Sequence, residues 1–173
     1  ILRAYTAAKQ KGATRFGLHA MIVSNQRDEA ILADAARLLF SLAVEIHEKT
    51  GIRVEFINLG GGIGIPYSPV DHQVDIEDFA ERVHEHYKEI IAGNGLAPIR
   101  IVMESGRAVT GPYGYLVSRV RHVAQKHRDY VGLDACMANL MRPALYGAYH
   151  DITVLGKEAL PVDHVSDVTG SRR

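Results

Sequence analysis

The sequence predicts an α/β protein, namely a partial (β/α) barrel of the TIM type over residues 1–112, followed by the start of a β-rich domain over residues 113–173. In the first region, short apolar runs alternate with amphipathic helical patterns, which is typical of parallel βα units. In the second region, short strand-like segments follow one another, and only residues 138–149 leave room for a helix between them.

Amphipathic helices are predicted at three places in the first region. Residues 1–11 put apolar side chains on one face, with lysines in the last turn. From Asp28 to Gly51, apolar residues recur every three or four positions between an acidic N-terminus and a glycine stop. Residues 76–91 repeat this spacing. The helices therefore alternate with strands, as βα units require.

Apolar runs at residues 16–23, 54–59 and 99–103 predict buried strands, and His19 in the first run is expected to be a hydrogen-bonded core residue. Each run is followed by residues suited to binding, namely Ser24, Gly60–Gly62 and Glu104–Arg107. Loops after the carboxyl ends of parallel strands meet at one rim of a barrel, where chemistry is assembled. These residues are therefore expected on one rim.

The glycines at positions 60, 61 and 62 form the most conspicuous of these loops. Without Cβ atoms, successive N–H groups can converge on an anion such as a phosphate. The spacing does not fit the dinucleotide fingerprint, and the lysine of a P-loop is absent. The alternative is that the glycines only form a tight turn between the strand and its loop.

Glu104-Ser105-Gly106-Arg107 places a carboxylate and a guanidinium at a strand end. A carboxylate there can pair with a cationic ring nitrogen or a substrate amine, and Arg107 can bind a carboxylate or phosphate in bidentate fashion. The alternative is a surface ion pair, which contributes at most about 1 kcal/mol.

A second informative run extends from Asp134 to His150. Pro143 suits the first turn of a short helix, which puts Arg142 and Tyr146 one turn apart. Both could hold a substrate carboxylate. Alternatively, Arg142 caps a loop while Tyr146 and Tyr149 belong to the core.

The rest of the second region predicts short strands, expected to be antiparallel, at residues 115–123, 130–133, 152–155 and 164–168.

The composition of the chain limits the classes of function that it can have. The chain has 20 basic and 20 acidic residues, which gives no broad electrostatic footprint for nucleic acid or membrane. The single cysteine excludes an internal disulfide, and no apolar run is long enough for a membrane span. A reducing, cytoplasmic compartment without a metal site fits these features.

Three segments together resemble diaminopimelate decarboxylase, a pyridoxal-phosphate enzyme family of the alanine racemase-like fold type. They are Asn58-Leu-Gly-Gly-Gly-Ile-Gly-Ile-Pro-Tyr67, Glu104-Ser-Gly-Arg107 and Asp134-Ala-Cys-Met-Ala-Asn-Leu-Met-Arg-Pro-Ala-Leu-Tyr146. The resemblance covers essentially the whole chain. The glycine segment is shared with ornithine and arginine decarboxylases, whereas Arg-Pro-Ala-Leu-Tyr points to the diaminopimelate branch.

The resemblance implies that Gly60, Gly61 and Gly62 bind the phosphate of pyridoxal 5'-phosphate through their N–H groups, with Ser24 close by. It implies that Glu104 pairs with the pyridine nitrogen and keeps the ring able to accept electrons. The first region would then be the cofactor-binding domain.

The resemblance further implies that Arg107, Arg142 and Tyr146 bind the distal carboxylate of the substrate. The reaction would be decarboxylation of meso-diaminopimelate to L-lysine in a homodimeric parent protein. Two alternatives stay open: another pyridoxal-phosphate decarboxylase or racemase of this fold acting on basic amino acids, or a non-catalytic module that binds pyridoxal phosphate or phosphate.

The chain departs from the family pattern at several points. Met21 and Val23 stand where the family usually has His and Gly, and Ser105 replaces a common Pro. The resemblance places the Schiff-base lysine upstream of residue 1 and a Cys-Glu segment just after Ser171. This chain alone is therefore expected to be a fragment, and inactive.

Overall fold

The computed structural model describes residues 1–170, so Ser171 and the Cys-Glu segment expected after it lie outside the described residues. The chain divides into two compact units. Unit 1 comprises Ile1–Pro66 and His72–Tyr113, and unit 2 comprises Tyr67–Asp71 and the chain from Gly114 onward. Within the described part of the chain, no helix is long and apolar enough to cross a membrane.

Unit 1 is built from alternating helices and strands. Its helices are α1 (Leu2–Gln10), α2 (Glu29–Thr50), α3 (Ile76–His86) and α4 (Gly106–Thr110). Its strands are β1 (Gly17–His19), β2 (Phe56–Asn58) and β3 (Arg100–Val102). A π-helical segment, Tyr87–Ala92, continues α3, and a 3-10 turn, Gly111–Tyr113, follows α4.

The three strands form one parallel sheet in the order β1-β2-β3, with Leu18, Ile57 and Ile101 aligned across it. The prediction of an α/β fold with parallel strands is confirmed. The strands are shorter than predicted. β1 differs most, because the chain leaves the sheet after His19, and Met21 is 58% exposed and lies outside the strand.

The long helix α2 begins and ends where its sequence signals predict. The Asp28 carboxylate accepts hydrogen bonds from the N–H groups of Ala30 (2.9 Å) and Ile31 (3.2 Å), which satisfies two otherwise unpaired donors. The helix ends at Gly51 with φ of 64°, a left-handed conformation that glycine adopts at little cost. Its apolar face then lies against the sheet.

The main core of unit 1 lies between α2 and the central strand. Phe40, Ile46 and Ile57 have no exposed surface. The ring of Tyr87 meets Phe40 edge-on at 5.8 Å, and its hydroxyl bonds to the backbone N–H and carbonyl of Ile99. Burial of each such side chain stabilises the fold by about 1.5–3 kcal/mol, so this core fixes the sheet that carries the loops.

Unit 2 contains β4 (Val120–Gln125), β5 (Asp129–Leu133), the short helix α5 (Arg142–Tyr146) and β6 (Asp167–Thr169). Among its described residues, only Gly132 is buried. The helix lies within residues 138–149, as predicted.

The structure of unit 2 corrects three expectations. β4 and β5 are antiparallel as predicted, but β6 pairs parallel to β5. A parallel partner cannot be reached by a hairpin turn and needs a long crossover connection. The connection through α5 provides one. Residues 152–155, expected to be a strand, form none and are exposed, and β4 starts later than residue 115.

Candidate functional site

The carboxyl ends of the three parallel strands in unit 1 form a rim. His19 and Asn58 are the last residues of β1 and β2, and they lie in register with Val102 at the end of β3. The loops after these strands are therefore neighbours, which is the arrangement expected from the sequence.

The glycine loop after β2 is packed tightly against its neighbours. A Cβ on Gly60 would lie 2.6 Å from the carbonyl oxygen of Ala20, and one on Gly61 would lie 2.5 Å from that of Glu104. Gly62 has φ of 98°, and a Cβ there would collide with the Val23 carbonyl. Only glycine fits at these positions, because the backbones of the adjacent loops occupy the space of a side chain.

The glycine loop also has hydrogen-bond donors without acceptors. The N–H of Gly60 donates to Oδ1 of Asn58 at 2.9 Å. Within residues 1–170, the N–H groups of Gly61 and Gly62 have no acceptor, although Gly61 is buried. Buried N–H groups are nearly always paired, and consecutive free N–H groups bind anions. The loop therefore fits a phosphate group.

Glu104 is fixed relative to this loop by Asn58. Nδ2 of Asn58 donates to Oε1 of Glu104 at 2.8 Å, and the N–H of Glu104 donates to the Gly60 carbonyl at 2.7 Å. One side chain thus connects the glycine loop with the carboxylate. The sequence assigned no role to Asn58, although its position as the polar residue that ends an apolar strand was a usable signal.

His19 also faces this carboxylate, which corrects the expectation of a core histidine. Its Nε2 lies 3.7 Å from Oε2 of Glu104, and its side chain is 51% exposed. Leu18, not His19, is the buried residue of β1, because successive side chains of a strand point to opposite sides. His19 and Asn58 thus meet the carboxylate from two strands.

Ser24 is exposed and lies in the loop after β1. That loop is bound to the glycine loop by two hydrogen bonds, from the N–H of Gln26 to the Gly62 carbonyl at 2.9 Å and from the N–H of Gly64 to the Gln26 carbonyl at 2.8 Å. Asn25, with φ of 52°, accepts from the N–H of Ile65. These contacts tie the Ser24 loop to the glycines.

Arg107 is half-buried and belongs to α4, which begins two residues after Glu104. The carboxylate of Glu104 is met by Asn58 and His19. The carboxylate of Glu104 therefore lies at the rim of the sheet.

In unit 2, Arg142 is the first residue of α5 and lies between two aromatic side chains. The carbon of its guanidinium is 4.7 Å from the centroid of the Tyr67 ring, and its Nη1 is 3.0 Å from Nε2 of His150. The rings of Tyr67 and His150 meet edge-on at 5.1 Å. Burial and the charge of Arg142 lower the pKa of His150.

The tyrosines of this segment are not core residues, contrary to one of the two interpretations of the sequence. Tyr146 is 76% exposed and Tyr149 is 54% exposed. Arg142 is bonded to a side chain, not to a loop carbonyl. The segment is therefore available for binding.

Asp134, at the start of the same segment, fixes the beginning of β4. Its Oδ1 accepts from the N–H of Arg119 at 2.8 Å and from the hydroxyl of Ser118 at 2.7 Å. These two bonds, in that order, lower the pKa of Asp134.

Within residues 1–170, no group of three or more histidine, cysteine, aspartate or glutamate side chains is arranged to hold a metal ion.

In the part of the chain that the structure describes, the rim of a parallel α/β sheet carries glycine N–H groups without acceptors, next to a fixed carboxylate. This arrangement is typical of proteins that bind an anionic ligand. Residues 2–111 match the family model of the pyridoxal-dependent decarboxylases, in its pyridoxal binding domain. The chain belongs to this family.

Relatives of known name agree with the family match. The chain is 38% identical over 171 residues to protein TabA of Pseudomonas amygdali pv. tabaci, and 36% identical over 170 residues to diaminopimelate decarboxylase of Methanothermobacter thermautotrophicus. These matches cover 99% and 96% of this chain but only 40% and 39% of the relatives. The chain thus spans about two fifths of the length of these relatives.

Among solved structures, the chain is similar to diaminopimelate decarboxylase of M. jannaschii in complex with L-lysine. The TM-score is 0.71 at 31% identity, and the match covers 86% of this chain and 35% of that one. The similarity therefore extends over most of the described residues.

Proposed function

We propose that this chain is the cofactor-binding part of a diaminopimelate decarboxylase, which converts meso-diaminopimelate to L-lysine and carbon dioxide with pyridoxal 5'-phosphate. The observation that carries the proposal is the glycine loop, in which two N–H groups lack acceptors among residues 1–170 and which Asn58 joins to Glu104. The names of several relatives support the reaction, and the complex of one similar structure with L-lysine supports an amino-acid ligand.

The proposed fold is part of a (β/α) barrel over residues 1–112 and the start of a β domain over residues 113–173. The sheet of unit 1 supports this, since β1 and β3 each pair on one side only among the described residues. Backbone groups at such open edges need partners, and further strands of a barrel would supply them.

In the proposed site, the N–H groups of Gly61 and Gly62 donate to the phosphate of the cofactor, and the hydroxyl of Ser24 adds a donor nearby. Glycine is needed here for two reasons: the adjacent loops exclude a Cβ, and the ligand must approach the backbone closely. Gly60 serves differently: its N–H is already bonded to Asn58, so it shapes the loop.

Glu104 is proposed to accept a hydrogen bond from the protonated ring nitrogen of the cofactor. Such a charge-assisted bond contributes about 1.5–3 kcal/mol. When bound, the cofactor supplies a ring that accepts the electrons left as the carboxylate departs as carbon dioxide. Asn58 and His19 hold the carboxylate of Glu104 at the rim.

Arg142 and Tyr146 of unit 2 are proposed to bind a carboxylate of the substrate. A guanidinium can donate two parallel hydrogen bonds to a carboxylate, and a tyrosine hydroxyl can add a third. Arg107 of unit 1 is proposed to bind a carboxylate in the same way. The parent protein is proposed to be a cytoplasmic homodimer.

Equilibrium dialysis of the chain against pyridoxal 5'-phosphate tests the cofactor site. The Gly61→Val variant is expected to bind at least about tenfold more weakly than the wild type, which corresponds to about 1.4 kcal/mol. The matched control is Gly95→Asn, on the loop before β3, where a Cβ meets nothing within 4 Å and asparagine tolerates the positive φ of 69°. Circular dichroism verifies that each variant is folded. Equal binding by all three proteins would contradict the proposal.

Release of carbon dioxide by the whole parent protein tests the substrate. We expect turnover of meso-diaminopimelate and little turnover of ornithine, which lacks the distal carboxylate. Preference for ornithine would indicate another decarboxylase of this fold. Binding of pyridoxal 5'-phosphate without any turnover would indicate a non-catalytic module.

A further inference from the structure

Arg142 is held by two side chains that the proposed reaction does not itself require. The ring of Tyr67 lies under the guanidinium, with 4.7 Å between the guanidinium carbon and the ring centroid. His150 contacts its edge, with 3.0 Å between Nε2 and Nη1. A flexible side chain with two such contacts has fewer conformations to lose when it binds a ligand.

The contact with His150 fixes the protonation of the imidazole. A guanidinium has only N–H donors and cannot be deprotonated in a protein, so Nε2 of His150 must be the acceptor. The imidazole is therefore neutral, with its proton on Nδ1. Burial and the charge of Arg142, which lower the pKa of His150, act in the same direction.

The Tyr67 ring, which lies under Arg142, belongs to a turn that is itself held by hydrogen bonds. The carboxylate of Asp71 accepts hydrogen bonds from the N–H groups of Tyr67 and Ser68, each at 3.0 Å. This turn orients the Tyr67 ring, whose face attracts a cation by about 0.5–2 kcal/mol. The ring also touches His150, so the three side chains form one packed cluster.

We propose that His150 is a positioning residue for Arg142. Its unprotonated Nε2 accepts one N–H of the guanidinium, and the remaining donors are thereby turned toward a carboxylate ligand in a fixed orientation. This inference rests on the proposed role of Arg142 in binding a substrate carboxylate. Tyr67 assists by confining the plane of the guanidinium.

The side-chain arrangement can be tested without any ligand. Long-range ¹H–¹⁵N correlation spectra of the chain should show His150 as the Nδ1–H tautomer at neutral pH. The pKa of His150 should lie below that of an ordinary histidine and should rise in Arg142→Gln, which removes the neighbouring charge. An Nε2–H tautomer, or an unchanged pKa in the variant, would overturn the arrangement.

Ligand binding tests the positioning role. The probe is pimelate, a dicarboxylate without amino groups, and binding is followed by the backbone amide resonances of residues 142–150, which can be observed in every variant. We expect His150→Phe to weaken binding about fivefold, as loss of one hydrogen bond of about 1 kcal/mol predicts. His150→Gln should restore binding to within about twofold, because its amide oxygen can replace Nε2 as acceptor.

The outcomes separate this inference from the proposed function. If Arg142→Gln abolishes pimelate binding while His150→Phe binds as well as the wild type and is folded by circular dichroism, the positioning role is wrong and the role of Arg142 stands. If Arg142→Gln binds pimelate normally, the carboxylate site itself is wrong. Failure of His150→Gln to restore binding would also overturn the positioning role.

Discussion

Asn58 links the glycine loop to Glu104 by two hydrogen bonds, and its replacement should destabilise this part of unit 1. Its Oδ1 accepts the N–H of Gly60 and its Nδ2 donates to Glu104, at 2.9 and 2.8 Å. In Asn58→Ala both bonds are lost. In Asn58→Asp the acceptor remains, but the donor is replaced by a second carboxylate beside that of Glu104.

The magnitude follows from the exposure of the partners. Gly60 is buried, so leaving its N–H without an acceptor costs about 1–3 kcal/mol. The side chain of Glu104 is 55% exposed, so water replaces much of the lost donor, and this bond contributes at most about 1 kcal/mol. Asn58→Ala should therefore destabilise unit 1 by about 2 kcal/mol.

Urea unfolding at neutral pH measures the loss, and hydrogen exchange of the Gly60 amide locates it. In Asn58→Ala this amide should exchange faster, whereas in Asn58→Asp it should stay protected. Asn58→Asp should also regain stability at acid pH, because protonation of one carboxylate relieves the repulsion with Glu104. A loss below about 0.5 kcal/mol in Asn58→Ala, with unchanged Gly60 exchange, would refute the reasoning.

Three further predictions concern the core, the glycine loop and the second unit. Phe40→Ala, at a position with no exposed surface, should lower the free energy of unfolding by about 3–5 kcal/mol in urea; a loss under about 1 kcal/mol would contradict the core assignment. Gly61→Ala puts a Cβ 2.5 Å from a backbone carbonyl and should cost about 1–3 kcal/mol, whereas Gly106→Ala, whose Cβ meets nothing, should cost little; equal thermal stability of the two variants would refute this. The pKa of Asp134 is lowered by a backbone N–H and then by the Ser118 hydroxyl, so Ser118→Ala should raise it, as carboxyl NMR titration would show. Because this pKa is depressed in the folded state, the stabilisation is present above the unfolded pKa and is lost as pH falls through the folded pKa, so the stability difference between the two proteins should vanish in acid and its persistence there would contradict the assignment.

Local signals in the sequence were sufficient for much of unit 1. The ends of α2 were predictable because Asp28 and Gly51 act on their own neighbours through a side-chain cap and a left-handed turn. The common rim of the glycine loop and Glu104 followed from the alternation of strands and helices, since parallel strands end at the same edge.

The remaining features depend on contacts between distant residues. The bond from Asn58 to Glu104 requires the register of β2 against β3, which no local pattern specifies. The parallel pairing of β6 depends on the path by which the long connection after β5 brings the chain back to the sheet. The cluster of Arg142 with His150 joins a helix start to a loop, and nothing in the local sequence states which partner the arginine takes.

The most direct test of the central claim is an amide chemical-shift titration of the ¹⁵N-labelled chain with pyridoxal 5'-phosphate and, separately, with pyridoxal. If the free N–H groups of Gly61 and Gly62 bind the phosphate, their resonances should move strongly with pyridoxal 5'-phosphate and hardly at all with pyridoxal. Unmoved glycine resonances at saturating pyridoxal 5'-phosphate, or equal shifts with both compounds, would contradict the account.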